Sequence, residues 1–161
     1  MDTSERSGIL IINKHAGVTS HDIVGMVRRL YGTKQVGHTG TLDPMATGVL
    51  PVLVGRAVKA SDFIMADRKR YKAVLRLGIE TDTEDTTGNI TKVSKNIPTD
   101  TEVQNACASF VGEIKQVPPM YSAVQINGKR LYDLAREGKT VERPARQIMV
   151  SALRLLSYDE A

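Results

Sequence analysis

Between residues 8 and 32 the hydrophobic period of the chain changes from that of a strand to that of a helix. "GILIINK", residues 8 to 14, is a short apolar run suited to a buried strand. In "VTSHDIVGMVRRLYG" the apolar residues Ile23, Val24, Val27, Leu30 and Tyr31 recur at helical spacing, with Thr19 or Ser20 as N-cap and Gly32 just past the end. An amphipathic helix directly after a strand must bury its stripe against a neighbouring layer, so the fold is mixed. No regular strand-helix-strand beat follows, which points to an α+β class in place of a doubly wound sheet.

The next segments extend this pattern. "VLPVLVG" reads as a strand with Pro51 at an edge or a bend, and "RAVKASDFIMA" as one short helix. In "RYKAVLRLG", Tyr71, Ala73, Leu75 and Leu77 alternate with Lys72, Val74 and Arg76, the pattern of a half-buried strand that Tyr71 opens. "ETDTEDTTGNITK" reads as an exposed, turn-rich connection. A second helix is expected in "PTDTEVQNACASFVG", with Thr99 and Glu102 at capping-box spacing, a stripe of Val103, Ala106, Cys107 and Phe110, and Gly112 at its end. Asn127-Gly128 signals a tight turn before a helical piece stopped by Gly138, and "RQIMVSALRLLSY" closes the chain as a strand candidate. No repeat, low-complexity tract or compositional boundary divides the 161 residues, which suit one domain.

Composition excludes several classes of function. No apolar run approaches the roughly 20 residues that cross a bilayer, and the polar start "MDTSERSG" is unlike a signal peptide, so a cytoplasmic location is expected. The lone Cys107 forms no internal disulfide and supplies no cysteine zinc site. His15 and His21 lack a third ligand at useful spacing, so no metal is expected. Phosphate-cradling glycine loops and serine-hydrolase motifs are missing too, so no cofactor is expected. The net charge of +4 equals the excess of residues 115 to 146 alone, where seven basic residues face Asp133, Glu137 and Glu142. Such a window fits either a solvated helix face or a phosphate-binding surface.

"GHTGTLDPMATGVLP", residues 37 to 51, holds a single carboxylate, Asp43. Pro44 restricts its own φ and biases Asp43 toward extended geometry, while Gly37, Gly40 and Gly48 permit tight turns and close approach. A rigid loop presenting one acid suits a nucleophile, and an Asp-Pro turn with glycine punctuation accounts for the same residues without chemistry. His38 is open in the same way, between a functional ring and a hydrogen-bonded structural one.

Four ordered segments decide between these readings. "GHTGTLDPMATGVLPVLVGRAVKAS" resembles the signature of the TruB family of pseudouridine synthases, whose Gly-x-Leu-Asp-Pro core falls at Gly40 to Pro44. "INKHAGVTSHDIV" is similar to the family's N-terminal Lys-Pro-x-Gly-x-Thr-Ser segment, and "KRYKAVLRLGIETDTEDTTG" to its tyrosine strand and acidic turn. "QVPPMYSAVQINGKRLYDLAREGKTVERPAR" resembles its RNA-gripping insertion, at about 115 to 147.

The resemblance implies the pseudouridine synthase catalytic fold, a mixed and mostly antiparallel sheet flanked by helices. It implies conversion of uridine to pseudouridine in the tRNA T stem-loop, at the position numbered fifty-five, without metal or cofactor. By the same resemblance Asp43 is the nucleophile and Tyr71 stacks on the flipped base and assists proton transfer. His38 fills the space the nucleotide vacates, Lys59, Lys129, Arg136 and Arg143 bind phosphate, and Lys14 supports the site.

Two departures stand out. His15 occupies the place of a proline, and the family's Gly-Thr-Tyr-Ile-Arg strand and C-terminal PUA domain are absent from these residues. Residues 1 to 161 are therefore expected to be the N-terminal portion of the catalytic domain, truncated at its C-terminal side, impaired alone and partnered by the missing half as a separate chain. The alternatives are a non-catalytic tRNA-binding or tRNA-folding module, for which Asp43 is dispensable, and a guide-RNA-directed enzyme acting on ribosomal RNA.

Overall fold

The computed structural model describes residues 6–64, 68–122, 124–126 and 128–159. They divide into two compact units, Met1–Lys72 and Ala73–Ala161, at a place where no shift of composition marks the chain.

In the first unit, β1 (Gly8–Lys14) pairs antiparallel with β3 (Gly48–Val54), which also pairs antiparallel with β2 (Val36–His38). Helix α1 (Ser20–Tyr31) begins at the N-cap Thr19, whose hydroxyl accepts from the Asp22 amide while the Asp22 side chain accepts from the Thr19 amide. It ends at Gly32, which adopts the left-handed conformation at φ 63°. The three α1 residues Ile23, Val24 and Val27 are buried together with Val36, Leu50, Val52 and Val54. Period-2 alternation places Leu50, Val52 and Val54 on one face of β3, and the register sets Ile12 and Leu10 opposite Leu50 and Val52. Each of the fully buried side chains contributes roughly 1.5–3 kcal/mol by leaving water, and the partly buried Leu10 and Ile12 contribute less.

Two expectations need correction here. β1 is an edge strand buried on one face only, since Ile9 and Ile11 on its other face are exposed. Pro51 lies in the central strand, not at an edge. The ladder tolerates it because its carbonyl accepts from Thr39, so the missing N–H points the same way, past the last β2 pair of His38 with Val52. After β3 the expected single helix is a 3-10 turn, Gly55–Ala60, followed by one helical turn, α2 (Ser61–Ile64); residues 65 and 66 lie outside the described residues.

The strand expected from Tyr71 onward does not form among the described residues: 68 to 76 have no regular structure, and Tyr71 and Val74 are 70% and 98% exposed. A period-2 pattern becomes a strand only where a partner takes up its backbone N–H and C=O groups, and none does so here.

Among its described residues the second unit holds three two-stranded antiparallel ladders: β4 (Ile79–Thr81) with β5 (Ile90–Val93), β6 (Gly112–Gln116) with β9 (Arg146–Val150), and β7 (Gln125–Ile126) with β8 (Lys129–Arg130). Within the β4-β5 connection Asp82 accepts from the Asn89 backbone and side-chain amides, and Asp85 accepts from Thr83 and Thr87. The expected capping box starts α3 (Asp100–Ser109), but Gly112 opens β6 and does not end the helix, and no α3 residue is fully buried. Of the closing strand candidate only Arg146–Val150 is strand. Asn127 lies outside the described residues; Gly128 beside it leads into β8 and then α4 (Leu131–Arg136), which Leu131 and Leu134 anchor.

All described pairings are antiparallel and helices accompany them, in keeping with the α+β class.

Candidate active site

The loop between β2 and β3 carries Asp43, and the core fixes both of its flanks. On the near side the Ser20 hydroxyl accepts from the Leu42 amide at 3.0 Å and donates to the Leu42 carbonyl at 3.2 Å. The Leu42 side chain packs against the core cluster. On the far side the Pro44 carbonyl accepts from the Gly17 amide at 2.8 Å and from the Lys14 ammonium at 3.4 Å. The Ala46 amide closes a turn onto the Asp43 carbonyl at 3.0 Å.

Lys14 owes its place to strand parity. It shares the inward face of β1 with Leu10 and Ile12, is 0% exposed, and meets no acid within ion-pair distance among the described residues. Its ammonium is satisfied by three carbonyls, those of His15 (3.0 Å), Val18 (2.9 Å) and Pro44. It therefore ties the turn after β1 to the Asp43 loop. Gly17, at φ 88°, makes that turn possible.

Asp43 itself is exposed, and among the described residues its carboxylate has neither an ion-pair nor a hydrogen-bond partner. The described ion pairs, Lys92 with Glu80 and Lys139 with Glu137, lie elsewhere. An acid on a stiff mount with its oxygens free can act as a nucleophile or a base without first breaking a contact.

His38 ends β2, half-buried, and its Nδ1 donates to the Gly40 carbonyl at 2.7 Å, which fixes the ring at the start of the same loop. Lys59 is exposed on the 3-10 turn after β3, whose Val58 packs beside Gly37. Tyr71 makes no described hydrogen bond to the loop. The structure thus places His38 at the start of the Asp43 loop with Lys14 beneath it, and no described hydrogen bond ties Tyr71 to them.

In the second unit Lys129 lies exposed on β8, Arg136 exposed in the last turn of α4, and Arg143 half-buried in the following loop. Two residues not singled out in the sequence join them. The Arg130 guanidinium donates to the Tyr132 hydroxyl at 2.6 Å and lies 5.7 Å from the ring centroid, with Arg136 at 5.3 Å. The Tyr132 hydroxyl beside it holds the Arg130 pKa above its ordinary value. The i, i+4 spacing of Tyr132 and Arg136 was the available signal.

Residues 28–161 match the family model described as the N-terminal domain of TruB family pseudouridylate synthases. The chain belongs to the TruB family. It is 49% identical over 150 residues to a protein of Alkaliphilus oremlandii (strain OhILAs) named tRNA pseudouridine synthase B, covering 93% of this chain and 50% of that one. A protein of the same name from Clostridium novyi (strain NT) is 49% identical over 154 residues, covering 95% and 53%. The chain thus spans about half the length of the curated relatives it matches. Among solved structures, a crystal structure of a Cbf5-Nop10-Gar1 complex superposes with a TM-score of 0.58 at 23% identity over 94% of this chain and 36% of that chain, a likeness of fold.

No group of three or more His, Cys, Asp or Glu that could hold a metal occurs among the described residues, and no described helix is long and apolar enough to cross a membrane.

Proposed function

We propose that this TruB-family chain supplies the nucleophile loop for conversion of uridine to pseudouridine in the T stem-loop of tRNA, in the cytoplasm. The observation that carries the reading is the free Asp43 carboxylate on a loop pinned at Leu42 and Pro44. The curated relatives' shared name supplies the reaction class and the substrate.

In this reading the target uridine leaves its stack and Asp43 attacks the nucleotide, forming a transient bond that breaks again before the product leaves and restores the carboxylate. The bond between ribose and base nitrogen breaks, the uracil turns, and its carbon bonds to the ribose. The base carbon loses a proton and the released nitrogen gains one, so the reaction is an isomerisation that consumes no cofactor. His38 occupies the space left in the RNA, Tyr71 stacks on the flipped base and moves a proton, and Lys59, Lys129, Arg136 and Arg143 hold phosphates. The chain forms the N-terminal portion of a catalytic domain with an RNA-gripping insertion at about 115 to 147. The chain spans about half the length of its curated relatives, and in this reading full turnover requires the remainder of that span.

The test is an assay on unmodified tRNA with this chain and with the chain lengthened to the span of its relatives. Pseudouridine in the T-loop from the longer protein, and its loss in Asp43→Asn with tRNA binding kept, is the expected result. Undiminished pseudouridine formation by Asp43→Asn would remove Asp43 from the reaction.

A further inference from the structure

We infer that Ser20 is a positioning residue for the Asp43 carboxylate. Thr19 and Ser20 are adjacent hydroxyls at the start of α1, and the structure divides their work. Thr19 accepts from the Asp22 amide at 3.0 Å and caps the helix. Ser20, 2% exposed, takes no part in that cap and reaches across 22 positions of sequence to Leu42.

One hydroxyl there serves both polar groups of a single residue. It accepts from the Leu42 N–H and donates to the Leu42 C=O, as a paired strand would. The Leu42 carbonyl belongs to the peptide that leads into Asp43, so its orientation sets where the Asp43 side chain leaves the backbone. Ser20 is in turn fixed by Ile23, Val24 and Val27, which seat α1 in the core. Two linked bonds therefore transmit core rigidity to the acid, with Lys14 and Gly17 restraining the opposite flank.

The assignment rests on Asp43 being the reacting group, and its test separates the two ideas. In labelled protein of 161 residues, Ser20→Ala should accelerate hydrogen exchange of the Leu42 amide by about tenfold or more. It should also broaden or shift the Asp43 carboxyl resonance. Thr19→Ala, which weakens the helix cap alone, should leave both signals near wild type, and Ser20→Thr, which keeps the hydroxyl, should restore them.

In the lengthened protein, Ser20→Ala should lower kcat with KM for tRNA unchanged. Equal responses to Thr19→Ala and Ser20→Ala, or no response of Leu42 and Asp43, would overturn the inference. So would an unchanged kcat in an active enzyme. Altered Asp43 signals in a protein whose wild type makes no pseudouridine would instead sustain the positioning and overturn the function.

Discussion

The Asp43 loop and the basic segment around α4 are both polar and both functional candidates, yet they are built on opposite principles. Around Asp43 the backbone is held by the buried Lys14 and Ser20 and by the Gly17 amide, and only the Asp43 side chain is left free. Around α4 the backbone rests on Leu131 and Leu134, while exposed side chains contact one another: Arg130 with Tyr132, Lys139 with Glu137. Bond-making requires a reacting atom held within a fraction of an ångström, whereas phosphate binding needs charge that adapts to a backbone. The contrast predicts that the two regions fail differently.

The largest difference should appear on removing the free acid. Asp43→Asn should lower turnover of the lengthened protein at least about a thousandfold, as loss of a nucleophile does, with tRNA affinity and unfolding midpoint unchanged. Single-turnover kinetics beside a binding titration separate these quantities. A variant that lost affinity in proportion to turnover would erase the contrast. Next comes the mount: Lys14→Met removes the ammonium from three carbonyls, of which only that of Pro44 keeps another described donor, the Gly17 amide, and should cost about 1–3 kcal/mol in urea unfolding.

The basic segment should answer in the other currency, affinity. Lys129→Ala, Arg136→Ala and Arg143→Ala should each leave stability within about 0.5 kcal/mol. Each should weaken tRNA binding and reduce the slope of log affinity against log salt by about one. Arg136→Ala also removes a cation from the Tyr132 ring, so its loss should exceed that of Lys129→Ala. A flat salt slope in all three would reduce this segment to a solvated surface.

What the sequence revealed follows the same division. Caps and helices are local, and Thr19, Gly32, Thr99 and Glu102 are legible because each acts within one turn. The isolation of Asp43 was legible from its neighbours. The clamp was not, because Ser20 and Lys14 act across 22 and 30 positions, and a Ser or Lys near a strand end carries no mark of its distant partner. Pro51 misled because strand centrality depends on which side a missing N–H faces. The alternation after Tyr71 misled for a related reason: a pattern states which face would be buried, not whether anything is present to bury it.

The smallest expected effect tests whether cap and clamp at the start of α1 are separable. Asp22 is held below the ordinary aspartate range by its side-chain and then its backbone hydrogen bonds to Thr19. A carboxyl lowered on folding contributes stability that is complete above its unfolded value, near pH ~4. That contribution fades as pH falls through the folded value below it. The Ser20 hydroxyl and the Gly17 amide that hold the other side of this junction carry no titrating group in that window. In an Asp43→Asn background, which removes the carboxyl next to Leu42, acidification should therefore move the Thr19 and Asp22 amide resonances first, while the Leu42 amide keeps its position until the unit unfolds. If Leu42 moved together with Thr19, the cap and the clamp would be one device, and the stiffness beneath Asp43 would belong to the helix end as a whole instead of to Ser20.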